Sequence, residues 1–264
     1  MEGIGATALM TAASRALESE RSDGLALLTD ELARPLAGEQ GFDLLAEAVR
    51  IGVPSSSDGS PVFVVRHRFF DDVLEDLTGR GIRQLVLVAG GLDTRAFRLP
   101  WPDGMRLFEI DQPHVLAYKD SILAEREARA RCDRREVPAD LREDWPTALL
   151  QSGFDPQRPT AWVAEGILFY IPEPSVHRLL DDMRRLSAPG SHLLTDVLGT
   201  TNGPPRVVED LFAGWDAPFV FFSDDPEALM RSHGWEAEAI AMDEVGRRLG
   251  VEFPPVGQVV LAGC

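Results

Sequence analysis

The rhythm of apolar residues changes along the chain. Residues 6–20 and 42–51 are rich in Ala, Leu and Glu and predict helices within a helical leader, residues 1–60. Gly, Pro and Ser cluster from Gly52 to Pro61 and predict a loop. Val65, Phe69, Phe70, Val73, Leu74 and Leu77 then recur at helical spacing, which predicts a helix over 62–77. From Gln84 onward short apolar runs alternate with helical patterns. Strands are expected at 84–88, 105–110, 135–137, 160–164 and 191–197, with helices at 113–129, 143–150 and 173–187. Such alternation argues for a parallel sheet with helices on both faces. The last third is less regular. Helices are expected at 207–215 and 226–233, and closing strands at 235–241 and 258–262 that pair as a hairpin-like edge. The pattern adds up to an α/β fold with a mostly parallel seven-stranded sheet. One domain spans 1–264, and the leader and an insertion at 199–233 are candidates for a helical cap.

Composition narrows the class without choosing a function. A chain of 264 residues can bury a full core, and its 44% hydrophobic and 26% charged residues are ordinary for a globular protein. No apolar run approaches the roughly 20 residues that cross a bilayer. Residues 1–11 lack a basic segment followed by an apolar core, so no secretory signal is expected. Cys132 and Cys264 read as free thiols and are too few for a structural zinc site, and a cytoplasmic location is expected. Net charge is 26 − 43 = −17, a field that repels phosphate backbones. Neither nucleic acid nor membrane is an expected partner, and oligomeric state is not readable.

The candidate chemistry lies at strand ends, because ligands of open parallel sheets bind beyond the carboxyl ends of the strands. The first end is Ala89-Gly90-Gly91-Leu92-Asp93, where glycines allow a tight turn and close approach of a ligand. Turn geometry alone could equally require them. The spacing is not the Gly-x-Gly-x-x-Gly of a nicotinamide site. Asp111, followed by Gln112, ends the second strand at a position where a carboxylate can accept from a ribose diol; an exposed strand-end acid is the competing reading. Alternation points its neighbour Glu109 to the other side. Asp140 and Leu141 follow the third strand, and Glu165-Gly166 the fourth. A carboxylate at Glu165 leaves an apolar strand and needs a partner, such as a ligand ammonium.

Together these stretches resemble the leucine carboxyl methyltransferase-like family. The segments are Gly91-Leu92-Asp93-Thr94-Arg95-Ala96-Phe97-Arg98-Leu99, Phe108 to Pro113, Asp140-Leu141-Arg142 and Ala164 to Tyr170. The likeness is nearest to the bacterial branch of S-adenosylmethionine-dependent methyltransferases and polyketide O-methyltransferases. It runs from Thr7-Ala8-Leu9, with Arg15-Ala16 and Glu18-Ser19, to the strand near Asp196. The resemblance implies a Rossmann-like class I methyltransferase with S-adenosyl-L-methionine as cofactor and S-adenosyl-L-homocysteine as product. It implies that Arg66 pairs with the methionyl carboxylate and that Ala89, Gly90 and Gly91 line the methionyl and ribose portion. Asp111 and Gln112 would then hold the ribose, Asp140 and Leu141 the adenine, and Glu165 with Gly166 the region of the methionyl amino group. Relatives commonly carry Gly-Ala-Gly where this chain has Ala89-Gly90-Gly91.

Local alternatives remain beside these roles. Arg66 could be a helix-surface arginine, with Arg68 as substitute for its role. Asp93 and Arg95 could pair with one another and stiffen the turn. Trp101 and Trp145 read as packing residues. His114, His177 and His192 lack metal-ligand spacing, so no metal is expected, and His177 reads as surface. Methyl transfer needs its reactants held in line, and no general base is evident in the sequence, which favours a carboxylate acceptor slightly over a phenol. Phe212, Trp215, Phe219, Phe221 and Phe222 could line an apolar acceptor pocket or belong to the core. The expected activity is O-methylation of a small molecule, in secondary metabolism such as polyketide synthesis. A protein C-terminal carboxyl methyltransferase and a non-catalytic cofactor-binding protein are the alternatives.

Overall fold

The computed structural model describes residues 4–53 and 61–264. The predicted loop at 52–61 therefore lies almost wholly outside the described residues. Strands β1 (Gln84–Val88), β2 (Arg106–Asp111), β3 (Asp133–Pro138), β4 (Ala161–Ala164), β5 (His192–Val197), β6 (Glu236–Ala241) and β7 (Gln258–Gly263) form one sheet. Their order is β3-β2-β1-β4-β5-β7-β6. β1 pairs in parallel with both β2 and β4, so the strand order reverses beside it. β7 runs antiparallel to β5 and β6, the closing edge pair that the sequence predicts.

β1 is buried along its whole length because helices cover both sheet faces. Val86, Val88, Phe108, Ile110 and Trp162 face one layer of core. That layer takes the apolar side of α7 (Glu173–Arg185), where Val176, Leu179, Leu180 and Met183 fall at helical spacing. Glu173 in its first turn and Arg184 and Arg185 in its last complement the helix dipole. Leu85, Leu87, Leu107 and Val163 point the other way, toward α3 (Pro61–Gly79) and α10 (Met242–Arg248). A third apolar cluster joins α1 (Ile4–Ser19), α2 (Ala33–Arg50) and α8 (Arg206–Gly214) through Leu9, Met10, Leu36, Leu45, Val208 and Phe212.

Element boundaries depart from the periodicity in a few places. α2 begins at Ala33, earlier than the apolar pattern, and Gly38 kinks it with φ 55°. α5 (Pro113–Glu125) stops before residue 129, with Glu127 in the left-handed region at φ 50°. α4 (Arg95–Arg98), the turn of 3₁₀ helix at Leu168–Tyr170 and α10 have no counterpart in the prediction, being too short to establish a period. α6 (Trp145–Gln151) and α9 (Pro226–Ser232) begin at prolines or one residue before, each capped by an aspartate, Asp144 and Asp225.

Candidate active site

A cavity of about 810 Å³ opens at the carboxyl ends of β1 to β5. Every residue singled out for the cofactor lines it: Arg66, Ala89, Gly90, Gly91, Asp111, Gln112, Asp140, Leu141, Glu165 and Gly166. The fold thus brings together residues from separate strand ends at the point where strand order reverses.

The turn after β1 is built by its neighbours. Gly90 N–H donates to the Ile110 carbonyl at 3.2 Å, and Asp93 N–H to the Gly90 carbonyl at 3.0 Å. Asp111 accepts from Gly91 N–H on Oδ2 and from Gln112 N–H on Oδ1, each at 2.7 Å. Each oxygen keeps a second lone pair for a ligand hydroxyl. Burial pushes the Asp111 carboxyl above its ordinary value, only partly opposed by those two backbone bonds. Gly91 has φ 53°, and a Cβ there would stand 3.1 Å from the Ala8 Cβ, so both backbone and α1 favour glycine. Ala89 also lies in the left-handed region, at φ 51°. A residue with a Cβ is strained there by about 1 kcal/mol.

Beside the turn lies a buried charge network. Arg66, buried on α3, donates from Nε to Glu165 Oε1 at 3.0 Å and from Nη1 to Asp196 Oδ2 at 2.7 Å. Its Nη2 donates no hydrogen bond among the described residues. Asp196, at the end of β5, also accepts from Gly166 N–H at 2.6 Å. Arg95 is fully buried and binds Asp71 at 2.7 Å, Asp93 at 2.5 Å and Glu165 at 2.8 Å. Arg98 completes the cluster with a two-pronged contact to Asp71. Burial alone would raise the Glu165 carboxyl, but His67, Arg95 and Arg66 hold it well below the usual range. His67 is itself pushed down by burial and by Arg95, so its ring is uncharged at neutral pH and the arginines carry that stabilisation. Burial raises Asp93 as well, yet Arg95 outweighs it and brings the carboxyl to about 2. Asp196 goes the other way, because burial outweighs Arg66 and the Gly166 amide.

The open alternatives resolve along these contacts. Arg66 is buried and lines the cavity, not the surface of its helix; Arg68 pairs instead with Asp72 at 2.8 Å and the Leu27 carbonyl. Asp93 both pairs with Arg95 and lines the cavity. Asp140 lines the cavity with its carboxylate held by the exposed Arg142. Glu109 points away from the cavity and binds Lys119 and Arg134. Trp145 packs within one apolar layer of the core and Trp101 against the other. Of the candidate pocket aromatics, Phe212 and Phe219 line the cavity, Phe221 belongs to the core, and Trp215 packs behind Phe212. Phe222 does not reach the lining. His67, Asp93 and Glu165 bring ligand-type atoms within 4.8 Å of one another, and the Arg95 guanidinium contacts all three residues. The sequence reading did not assign His67, Arg95 or Asp196 to the site. A charged residue inside the apolar strand His192–Val197 is the signal that could have found Asp196.

The model of the leucine carboxyl methyltransferase family matches residues 8–184. The chain belongs to that family. A protein of Mycobacterium avium provisionally named an S-adenosyl-L-methionine-dependent methyltransferase is 37% identical over 97% of this chain and 93% of its own length. One of Streptomyces coelicolor with the same provisional name is 42% identical over 92% and 86%. Family membership makes the chain an S-adenosylmethionine-dependent methyltransferase. A solved DUF574 family protein from Streptomyces avermitilis shares the fold, with TM-score 0.64 and 15% identity over 94% of this chain and 99% of that one. No helix among the described residues is long and apolar enough to cross a membrane.

Proposed function

We propose that this methyltransferase acts on oxygen, transferring the methyl group to a carboxylate or phenolic hydroxyl of a small molecule, as in the secondary (polyketide) metabolism that uses such acceptors. The observation that carries the reading is the convergence of the strand-end residues on one cavity beside an arginine with a free arm. The donor set fits S-adenosylmethionine. Arg66, clamped through Nε and Nη1, presents Nη2 to the methionyl carboxylate, a charge-assisted contact. Asp111 offers its spare lone pairs to the ribose hydroxyls, and Asp140 with Leu141 the adenine contacts. Glu165 and Gly166 lie at the methionyl amino group, and Ala89, Gly90, Gly91 and Gln112 form the floor.

The bound cofactor supplies an electrophilic methyl on a sulfonium. The chain's own work is positioning: the rigid turn, strapped by Asp111, and the buried network fix where donor and acceptor meet. Residues of the leader and of 199–233, among them Met10, Val208 and Phe212, act as a cap that excludes water from that meeting point. The test is calorimetric titration with S-adenosylhomocysteine, followed by mass-detected methylation of a panel of small acids and phenols. Folded protein that takes up no S-adenosylhomocysteine, or that methylates only nitrogen or sulfur acceptors, sinks the proposal.

A further inference from the structure

The cavity divides by charge. Most of its charged side chains come from α3 and the strand ends, whereas a largely apolar lining comes from α1, the turn after β4, α8 with the loop behind it, and the segments 198–205 and 254–258. There Tyr170, Phe212, Phe219, Val208, Pro205 and Val256 form the lining. Tyr170 stacks on Phe219 with ring centroids 5.3 Å apart and an interplanar angle of 29°. Phe212 lies 5.0 Å from Phe219 at 33°, so the three rings pack into one continuous aromatic patch on the cavity wall. The arginines that reach the cavity hold protein acceptors, and the remaining arm of Arg66 is the one assigned above to the methionyl carboxylate. Arg66 holds Glu165 and Asp196, Arg142 holds Asp140, and Arg15 holds Asp30 and the Leu92 carbonyl. No lysine lines the cavity among the described residues. Besides Arg15, which is paired with Asp30, the charged side chain on this side is Asp216, exposed and without an ion pair among the described residues.

An anionic acceptor entering beside this patch would lose its water against apolar walls, find no unpaired lysine or arginine among the described residues and face Asp216, leaving the cofactor's sulfonium as its one cationic partner there. A phenol, with a reference pKa near ~10, enters uncharged and lays its ring against the aromatic walls. We propose that the acceptor is a neutral aromatic hydroxyl, and that Asp216 discriminates against anionic acceptors. This rests on the O-methyltransferase reading above and sharpens its acceptor. The matched family is named for a carboxyl acceptor, and among the described residues this side of the cavity offers no unpaired protein cation to hold one. On transfer the oxygen–methyl bond forms as the sulfur–methyl bond breaks. Sulfur keeps the bonding pair as a thioether, and the phenolic proton passes to water on the solvent-facing side of the cavity, where Asp216 is exposed.

The test uses protein saturated with S-adenosylhomocysteine, titrated by calorimetry with 2-naphthol and with 2-naphthoic acid at neutral pH. These probes match in ring size and differ in charge. Naphthol is expected to bind at least about tenfold more tightly. Asp216→Asn is expected to narrow that ratio about threefold, chiefly by improving naphthoate. Naphthoate binding equally well or better overturns the neutral-acceptor assignment, as does failure of both probes to bind the saturated protein. A ratio unchanged in Asp216→Asn overturns the role of Asp216. Failure of the underlying reading shows separately, as absence of S-adenosylhomocysteine uptake before either probe is added.

Discussion

Replacing Arg95 with methionine removes a fully buried guanidinium while keeping much of the side-chain length. Three carboxylates lose a partner, though unequally. Asp71 keeps its two-pronged contact with Arg98, and Glu165 keeps Arg66 and His67. Among the described residues, Asp93 keeps the backbone N–H of residue 95 and no other hydrogen-bond donor. The wild-type network holds the Asp93 carboxyl at about 2 against an ordinary 3.8. That depression corresponds to about 2 kcal/mol at 1.36 kcal/mol per pKa unit. Leaving a buried charge without its partner costs more than the lost attraction, typically about 3–5 kcal/mol. The expected loss is therefore about 3–5 kcal/mol, a large share of the roughly 5–15 kcal/mol that holds a domain folded.

The sign with pH follows from the depressed value. The Asp93 contribution is complete above its ordinary pKa and is lost as pH falls through about 2. The gap between wild type and Arg95→Met should thus be widest at neutral pH and shrink in acid. Urea unfolding of both proteins, at neutral pH and near about pH 3, measures the gap. A loss below about 1 kcal/mol at neutral pH, with unchanged m-value, would refute the argument that Arg95 compensates the buried acids.

Ala89→Gly removes left-handed strain but adds chain entropy to the unfolded state, so it should raise stability by about 0.5 kcal/mol; a thermal melt showing a clear loss contradicts the strain. Gly166→Ala puts a Cβ 3.1 Å from Arg66 Nη2 at a position with φ 69°. It should weaken S-adenosylhomocysteine binding about tenfold, and unchanged affinity by calorimetry would show that Nη2 does not meet the ligand. Burial raises the Asp111 pKa, and its ionised form is the better acceptor for ribose hydroxyls. Cofactor affinity should therefore decline as pH falls through a value above the ordinary 3.8, and Asp111→Asn should abolish that decline. A decline that persists in the variant assigns it to another group.

The regular elements could be read from sequence because their burial is periodic. Val86 to Val88 and the apolar face of α7 announce themselves, and the strand-end residues follow once the strands are placed. The turn at Ala89 to Asp93 and the acid Asp111 were visible for the same reason. The network was not. Arg95 looked able only to pair with nearby Asp93, because nothing in a linear pattern brings Asp71 and Glu165 onto the same guanidinium. Asp196 and His67 escaped similarly, since their roles depend on α3 crossing the ends of β4 and β5. Short elements such as α10 carry less than two helical turns of pattern and were lost among loops. The five pocket aromatics had identical composition signals and divided between lining, core and support only through packing.

The central claim is that the cavity at the strand ends holds the cofactor through Arg66 and Asp111. Titration of S-adenosylhomocysteine into wild type, Arg66→Lys and Asp111→Asn tests it most directly. Arg66→Lys keeps a cation for Glu165 and Asp196 but loses the third arm. Wild type should bind, and each variant should stay folded and bind about tenfold to a hundredfold more weakly, as expected for loss of one charge-assisted contact. Wild-type affinity in both folded variants would contradict it.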